Sequence, residues 1–393
     1  MKQSMENSIW DKLANAVAFI IVISIFMLWY KPAYSVALIS FALFVIADYF
    51  KHRCFYKIEI TDIRKGIGLF LGSVLLASLG TLSVNNFLEG FDLVYNFLPC
   101  FMLTYLSKGY NIKKGVFLGL VFIIVTGIMM IFYEYFKVPA KNRAYSRPGS
   151  FLGYTNNWSA FLSMVLPCFI YYSCKGKSNL ISYLSRIMVV TCIVSLYFTK
   201  SRGGMLAASG AIVITSLYYL YLKRKQFAIC LTGLLALLGA CSSKFIYSSV
   251  MLKERAHGDS LRWFFYEKAL QMWRDYPIFG TGFGDWRIIY STTYAITQEQ
   301  KRFFHCHNFY LQILSGGGIV VALGTLGFLY YYFREMFGNI KRGSVYSFAG
   351  LAFMLAFLLH GFVDAVFFIK YVQRVFWMLF FVYTYDVMSE DEE

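Results

Sequence analysis

Between Lys244 and Asn308 the chain runs polar, closing on His305-Cys306-His307-Asn308 before apolar sequence resumes at Phe309. Almost everything on either side reads as membrane. Within this interval lie Arg255, Arg262 and the turn Pro277-Ile278-Phe279-Gly280-Thr281-Gly282-Phe283-Gly284, and two of the chain's five histidines stand at its end. A polar stretch set between spanning helices reads as the catalytic loop of a membrane enzyme. The chain then divides into residues 1–243, holding nine spans, a catalytic loop over 244–307, and residues 308–393, holding three more and a short tail.

Composition supports the membrane class. Of the 393 residues, 58% are hydrophobic and 20% aromatic, and only 15% are charged, which lies outside the range of soluble globular domains. A spanning helix takes roughly 20 residues, so about twelve spans use on the order of 240 residues and leave about 150 for loops. The expected fold is therefore an all-α polytopic membrane protein in one domain. The net charge of +16 could suggest nucleic acid, but Lys and Arg collect in the cytoplasmic loops of membrane proteins, so membrane lipids are the expected surroundings and nucleic acid is not an expected partner. The eight cysteines form no CxxC pair and read as small packing residues. The apolar stretch from Ala14 to Tyr30 is too long for a cleavable signal.

Apolar runs lie near residues 14–30, 33–50, 66–84, 92–107, 115–135, 157–173, 187–199, 204–222, 226–243, 308–333, 344–362 and 365–386. Basic residues set the orientation. With both termini cytoplasmic, the cytoplasmic loops carry Lys51, Arg53, Lys57, Arg64 and Lys65, then Lys108, Lys113 and Lys114, and later Lys223, Arg224 and Lys225. The long loop after span nine then faces the outside. Basic residues on that outer side, Lys137, Lys141, Arg143, Arg147, Lys200 and Arg202, run against the insertion bias and mark either an external anionic ligand or anionic lipid headgroups. Within the loop, Asp259 or Ser260 can cap a helix whose Leu261, Phe265, Ala269 and Met272 share one face. Trp263 and Trp273 suit that helix to the membrane surface, and Pro277 ends it. The acidic end from Ser389 reads as solvated and cytoplasmic.

Arg202 sits in Thr199-Lys200-Ser201-Arg202-Gly203-Gly204 at the outer edge of the bilayer. A guanidinium there is costly unless paired, and its planar fork grips phosphate oxygens in pairs. An ion pair with Asp364 or Glu134 is the structural alternative. His307 lies on the same side at the mouth of span ten; an imidazole is mostly neutral at pH 7 as a class and can take a proton, so His307 is a plausible general base. Zinc at His305-Cys306-His307 is disfavoured, because no further ligand lies near in sequence and a structural site needs four. His360 and Asp364, four apart, share a helical face and either line the same cavity or pair between helices.

Taken in order, these features resemble the bacterial O-antigen ligase family and its relatives, the O-antigen polymerases and O-linked protein oligosaccharyltransferases. Four features carry the likeness: Thr199 to Gly204; Arg262-Trp263 ahead of Pro277 to Gly282; His307-Asn308 followed by Tyr310-Leu311-Gln312; and the topology. Arg147-Pro148-Gly149-Ser150-Phe151 before Asn156 is a fainter element. Such ligases often show nine residues and then GxxG after the His-Asn pair; here that interval reaches Gly318, but Val321 replaces the final glycine.

The resemblance implies a glycosyltransferase-C-like membrane fold and a metal-independent, inverting transferase that needs no cofactor. Its donor would be a glycan on undecaprenyl pyrophosphate, and its acceptor a sugar hydroxyl of the lipid A core, at the periplasmic face of the bacterial inner membrane. Arg202 and Arg262 would hold the pyrophosphate and His307 would deprotonate the acceptor, with Arg147, Ser201, Arg255, His305 and Asn308 as further substrate-binding residues. A polymerase shares the donor and differs only in acceptor, so the motifs do not separate the two. A twelve-span transporter also fits the hydropathy, but the long loop falls after span nine, not midway, and no relation between halves is evident.

Overall fold

The computed structural model describes residues 2–26, 32–58, 61–143, 146–174, 179–234 and 256–384. Among these residues the chain is helical, with no β-strand. The first nine helices are α1 (Lys2–Ser24), α2 (Pro32–His52), α3 (Asp62–Gly80), α4 (Val84–Tyr95), α5 (Leu98–Gly109), α6 (Lys113–Lys137), α7 (Thr155–Cys174), α8 (Leu180–Thr199) and α9 (Arg202–Lys223). A tenth, α10, runs from 225 to 234. Then come α11 (Ala256–Asp275), the short α12 (Trp286–Ile289), α13 (Phe309–Lys341), α14 (Tyr346–Gly361) and α15 (Lys370–Thr384).

Among the described residues six helices, α2, α3, α6, α8, α9 and α13, are long and apolar enough to cross a membrane. The chain is a multi-pass membrane protein. Three of the remaining apolar runs are interrupted or only partly described. The run at 92–107 is divided: Asn96 caps the end of α4, and Pro99 stands in the first turn of α5, where a missing N–H is harmless. The run at 365–386 opens with a single turn, Val366–Phe368, before α15 begins. The run at 226–243, the acidic end and Arg255 lie wholly or partly outside the described residues.

Helix α7 is the core of the bundle, packed by α8, α9 and α14. Trp158, Phe161 and Phe169 are fully enclosed along it, and so are Ser159 and Ser163. Polar residues inside a spanning protein need partners, and Ser163 donates to the Ala160 carbonyl while Trp158 Nε1 donates to Ser195 Oγ at 2.9 Å. The ionisable residues of the apolar runs are likewise engaged. Asp48 is buried and accepts from the Tyr110 hydroxyl, Lys370 pairs with Asp92, and Arg374 lies 4.0 Å over the Tyr34 ring while donating to Asn96 Oδ1 at 2.7 Å.

Helix α13 is not one straight helix. At Gly318 the backbone turns to φ 63°, ψ −163°, a conformation that is essentially glycine's alone. The Pro277 to Gly284 turn docks into this break. Thr281 N donates to Ser315 O at 2.9 Å, Gly282 N to Gly316 O at 2.8 Å, and Ile319 N to Pro277 O at 2.9 Å. Backbone groups freed by the kink are thus satisfied by the turn. Any side chain at Gly280 would collide with Gly316, its Cβ falling 2.4 Å from that carbonyl carbon.

Helix α11 departs from the sequence expectation in two ways. It is already running at Ala256, so Asp259 and Ser260 lie inside it and do not cap it. Its apolar face does exist, with Phe265, Ala269 and Met272 buried, but that face packs on Trp286, Tyr290, Tyr294 and Cys306 to form a small second core. Burying aromatic area within the protein satisfies the face without lipid; of the two tryptophans, Trp263 is exposed. This small core fixes the segment that carries the histidines.

Candidate active site

Four segments far apart in sequence meet at the N-terminal ends of α7, α9 and α13: residues 147–157, 201–204, 303–308 and 362–366. His307 is their focus. Its backbone takes a left-handed φ of 56°, uncommon for a residue with a side chain and often found where a fold holds a group for chemistry. Tyr266 on α11 secures it, the hydroxyl being shared between the carbonyls of His307 at 3.3 Å and Phe362 at 3.2 Å. Phe265 and Phe303 pack on the imidazole, with ring centroids 5.8 and 5.7 Å away.

Opposite the imidazole stands Asp364, with Oδ1 3.1 Å from His307 Nδ1. Burial by itself would raise the Asp364 carboxyl, but the hydrogen bond to His307 and the charges of His307, His305 and His360 hold it well below the usual carboxylate range. An ionised carboxylate only accepts, so the shared proton sits on His307 Nδ1, and in the neutral ring the lone pair is on Nε2. Asp364 is further held by Asn156 Nδ2 at 2.5 Å and by the Ala365 amide at 2.8 Å. Asn156 in turn accepts from Ser201 Oγ at 3.2 Å and Arg147 Nη2 at 3.4 Å. One hydrogen-bonded chain therefore joins Arg147 and Ser201 through Asn156 and Asp364 to His307.

His305 takes the opposite tautomer. Its Nδ1 accepts the His307 N–H at 3.3 Å, so in the neutral ring the proton is on Nε2. Burial pushes this imidazole down to about 4, against the pull of Asp364, and it stays neutral at physiological pH. Cys306 between the two is fully enclosed; burial lifts its thiol to about 12, and Sγ donates to the Asn308 carbonyl.

The structure also bears on metal binding. His305, His307 and Asp364 offer ligand atoms that all lie within 4.8 Å of one another. The carboxylate that the neighbouring sequence lacks is supplied by the fold, which corrects that ground for setting zinc aside. The Cys306 thiolate does not join it, and each of the three groups is already hydrogen-bonded within the protein.

The remaining sequence candidates fall in distinct places. Arg147, His305 and His307 line a cavity of about 290 Å³ together with Asn156 and Asp364. Ser201 caps α9, accepting from Gly204 N at 3.3 Å, and Asn308 caps α13, accepting from Leu311 N at 3.0 Å while donating to Phe362 O at 3.1 Å. These caps fix the helix starts. Arg202 opens α9, the next residue, Gly203, lies against Val363, and Arg262 is near enough to Tyr266 and His360 for its charge to act on both. Neither arginine lines the cavity. Glu134, weighed as a partner for Arg202, accepts from the amides of Gly149 and Ser150. Arg143 turns back on the end of α6, donating to the Val138 and Phe136 carbonyls. His360 stays buried beside a smaller void that it shares with Asp364.

Sequence reasoning missed Tyr266 and the linking role of Asn156. Tyr266 had a signal, one helical turn after Arg262 on the same face.

Residues 187–326, about a third of the chain, match the family model described as O-antigen ligase, Wzy_C. That segment contains Arg202, Arg262, His305 and His307, while Arg147, Asn156 and Asp364 lie outside it. No curated protein matches the chain. Residues 187–326 are thus similar to the O-antigen ligase family model.

Proposed function

We propose that the protein is an O-antigen ligase, moving a glycan from undecaprenyl pyrophosphate to a sugar hydroxyl of the lipid A core at the periplasmic face of the inner membrane. The observation that carries this reading is the His307–Asp364 hydrogen bond on the wall of a cavity, in a chain whose residues 187–326 match this family's model. In the reaction, His307 Nε2 takes the acceptor hydroxyl proton as the oxygen forms its bond to the anomeric carbon. The bond from that carbon to the pyrophosphate oxygen breaks, and the electron pair leaves with the pyrophosphate. Attack opposite the leaving group inverts the anomeric centre. Arg202 and Arg262 neutralise the charge that develops on the departing phosphate, which asks for no metal and no cofactor. Asp364 stabilises the imidazolium and keeps the ring in the tautomer a base needs. Arg147 and His305 contact sugar, Ser201 and Asn308 act by fixing Asn156 and the start of α13, and Arg255 adds a charge to the loop.

The domain reading goes with it: spans through residue 243, a periplasmic loop over 244–307, three further spans and both termini cytoplasmic. The test is transfer by purified protein given carrier-linked glycan together with core lipid A or with a second carrier-linked glycan. Product on core lipid A supports ligation. Product only on the second carrier would make the protein a polymerase of the same superfamily, and solute transport without any transfer would remove both.

A further inference from the structure

The cavity beside His307 has two unlike ends. Part of its lining is polar: buried Asn157, His305 and Asp364, with half-buried Asn156 beside them. At its mouth stand two aromatic side chains that the fold leaves open: Tyr154 is 63% exposed and Phe304 49% exposed, although both line the cavity. Neither ring belongs to the two hydrophobic cores of the described residues. Phe304 meets its neighbour His305 with the two ring planes at 85° and the centroids 4.8 Å apart, and about half of its surface stays exposed. Exposed aromatics at a membrane surface commonly sit among headgroups. Here, however, the rings border a cavity with hydrogen-bonding groups in its lining, a combination of apolar face and convergent polar groups that suits a small polar ligand with one apolar side. A pyranose has that character, its C–H face lying on an aromatic ring while its hydroxyls reach polar groups.

Placement decides which sugar this is. Arg202 and Arg262, to which the pyrophosphate is assigned, do not line this cavity, whereas His307 does. The two substrates of an inverting transfer approach the reacting carbon from opposite sides, the acceptor from the side of the base. We infer that the cavity is the acceptor-sugar subsite and that Tyr154 and Phe304 are its stacking platform, which set acceptor affinity and specificity. The inference rests on the transferase reading above.

The experiment uses the full-length protein in lipid nanodiscs. Methyl β-galactopyranoside, which presents a continuous C–H face, serves as the binding probe in saturation-transfer NMR, and core lipid A serves as acceptor in steady-state transfer. Phe304→Ala and Tyr154→Ala are expected to abolish most of the saturation transfer to the ring C–H protons and to raise the acceptor KM roughly tenfold, with kcat and the donor KM little changed. Phe304→Trp is expected to keep both signals, and His307→Ala to keep the NMR signal while losing turnover. Equal saturation transfer in the parent and both alanine variants would overturn the platform, as would variants that lose only thermal stability, the behaviour of interface anchors. A rise in donor KM with an unchanged acceptor KM would overturn the acceptor assignment. Saturation transfer that depends on Phe304 in a protein without transferase activity would uphold a sugar subsite and sink the ligase reading instead.

Discussion

His307 Nδ1 and Asp364 Oδ1, 57 positions apart in the chain, stand 3.1 Å from each other because Asn308, the cap of α13, is bonded to Phe362 in the turn that follows α14. The contact settles which imidazole nitrogen holds a proton, and with it which nitrogen can act as base. Asp364→Asn should therefore lower kcat by on the order of a hundredfold or more, since the imidazolium loses its counter-charge and the tautomer its constraint. Donor affinity should stay within about twofold, as no phosphate contact is assigned to Asp364. Rates and donor binding measured on the same preparation check this, and an unchanged kcat would remove Asp364 from the mechanism.

Arg202→Gln and Arg262→Gln should each weaken donor binding roughly tenfold or more, the usual effect of losing a hydrogen bond to a charged group. Titration with carrier-linked glycan in nanodiscs measures it. Unchanged affinity in both variants would assign the pyrophosphate elsewhere, with Arg147 the next arginine to examine.

Gly318→Ala should be severely destabilising. The residue sits at φ 63°, and an added Cβ would fall 2.2 Å from the Ile278 carbonyl oxygen. Gly343→Ala makes the control, because Gly343 also has a positive φ, 99°, but nothing lies within 4 Å of an added Cβ. Thermal denaturation in detergent should show a much larger loss for Gly318 than for Gly343. Similar losses would mean that the Pro277 to Gly284 turn is not seated in the helix break.

His305 gives a pH dependence whose sign follows from its burial. Its imidazole is held down to about 4 in the folded protein against an unfolded value of 6.5. Its contribution to stability is thus complete above pH 6.5 and is lost as the pH falls towards about 4, because the unfolded chain binds the proton more readily. The melting temperature should drop between pH 7 and pH 5, and His305→Gln should flatten that drop. An equal slope in the variant would trace the effect to other groups.

Chelation separates the hydrogen-bonded arrangement from a metal held by the same side chains. Transfer should survive extensive treatment with EDTA, because His307 then works as a base with Asp364 as its partner. Activity lost on chelation and restored by zinc would assign His305, His307 and Asp364 to a metal ion instead.

Much of this architecture was legible in the sequence, since hydrophobic runs of spanning length declare themselves and Leu261, Phe265, Ala269 and Met272 repeat at helical spacing. What covers an apolar face is not written in its period: α11 buries its face against Trp286 and Tyr290, where lipid was expected. The break in α13 was hidden for a related reason. Ser315-Gly316-Gly317-Gly318 sits inside an apolar run, and only the docking of a turn from more than thirty residues upstream opens the helix there. At the site, His307 and Arg202 stood out as polar residues in an apolar setting, whereas the Asn156–Asp364 link depends on helix packing that no local pattern encodes.

The most direct measurement is the lipopolysaccharide banding of cells that lack their own ligase but make a compatible carrier-linked glycan, supplied with this protein or with equally expressed His307→Ala. The expected result is a restored ladder with the parent and none with the variant. A ladder of equal strength from His307→Ala would contradict the central claim that His307 is the base, and carrier-linked chains that lengthen with no lipid A-linked ladder would contradict ligation itself.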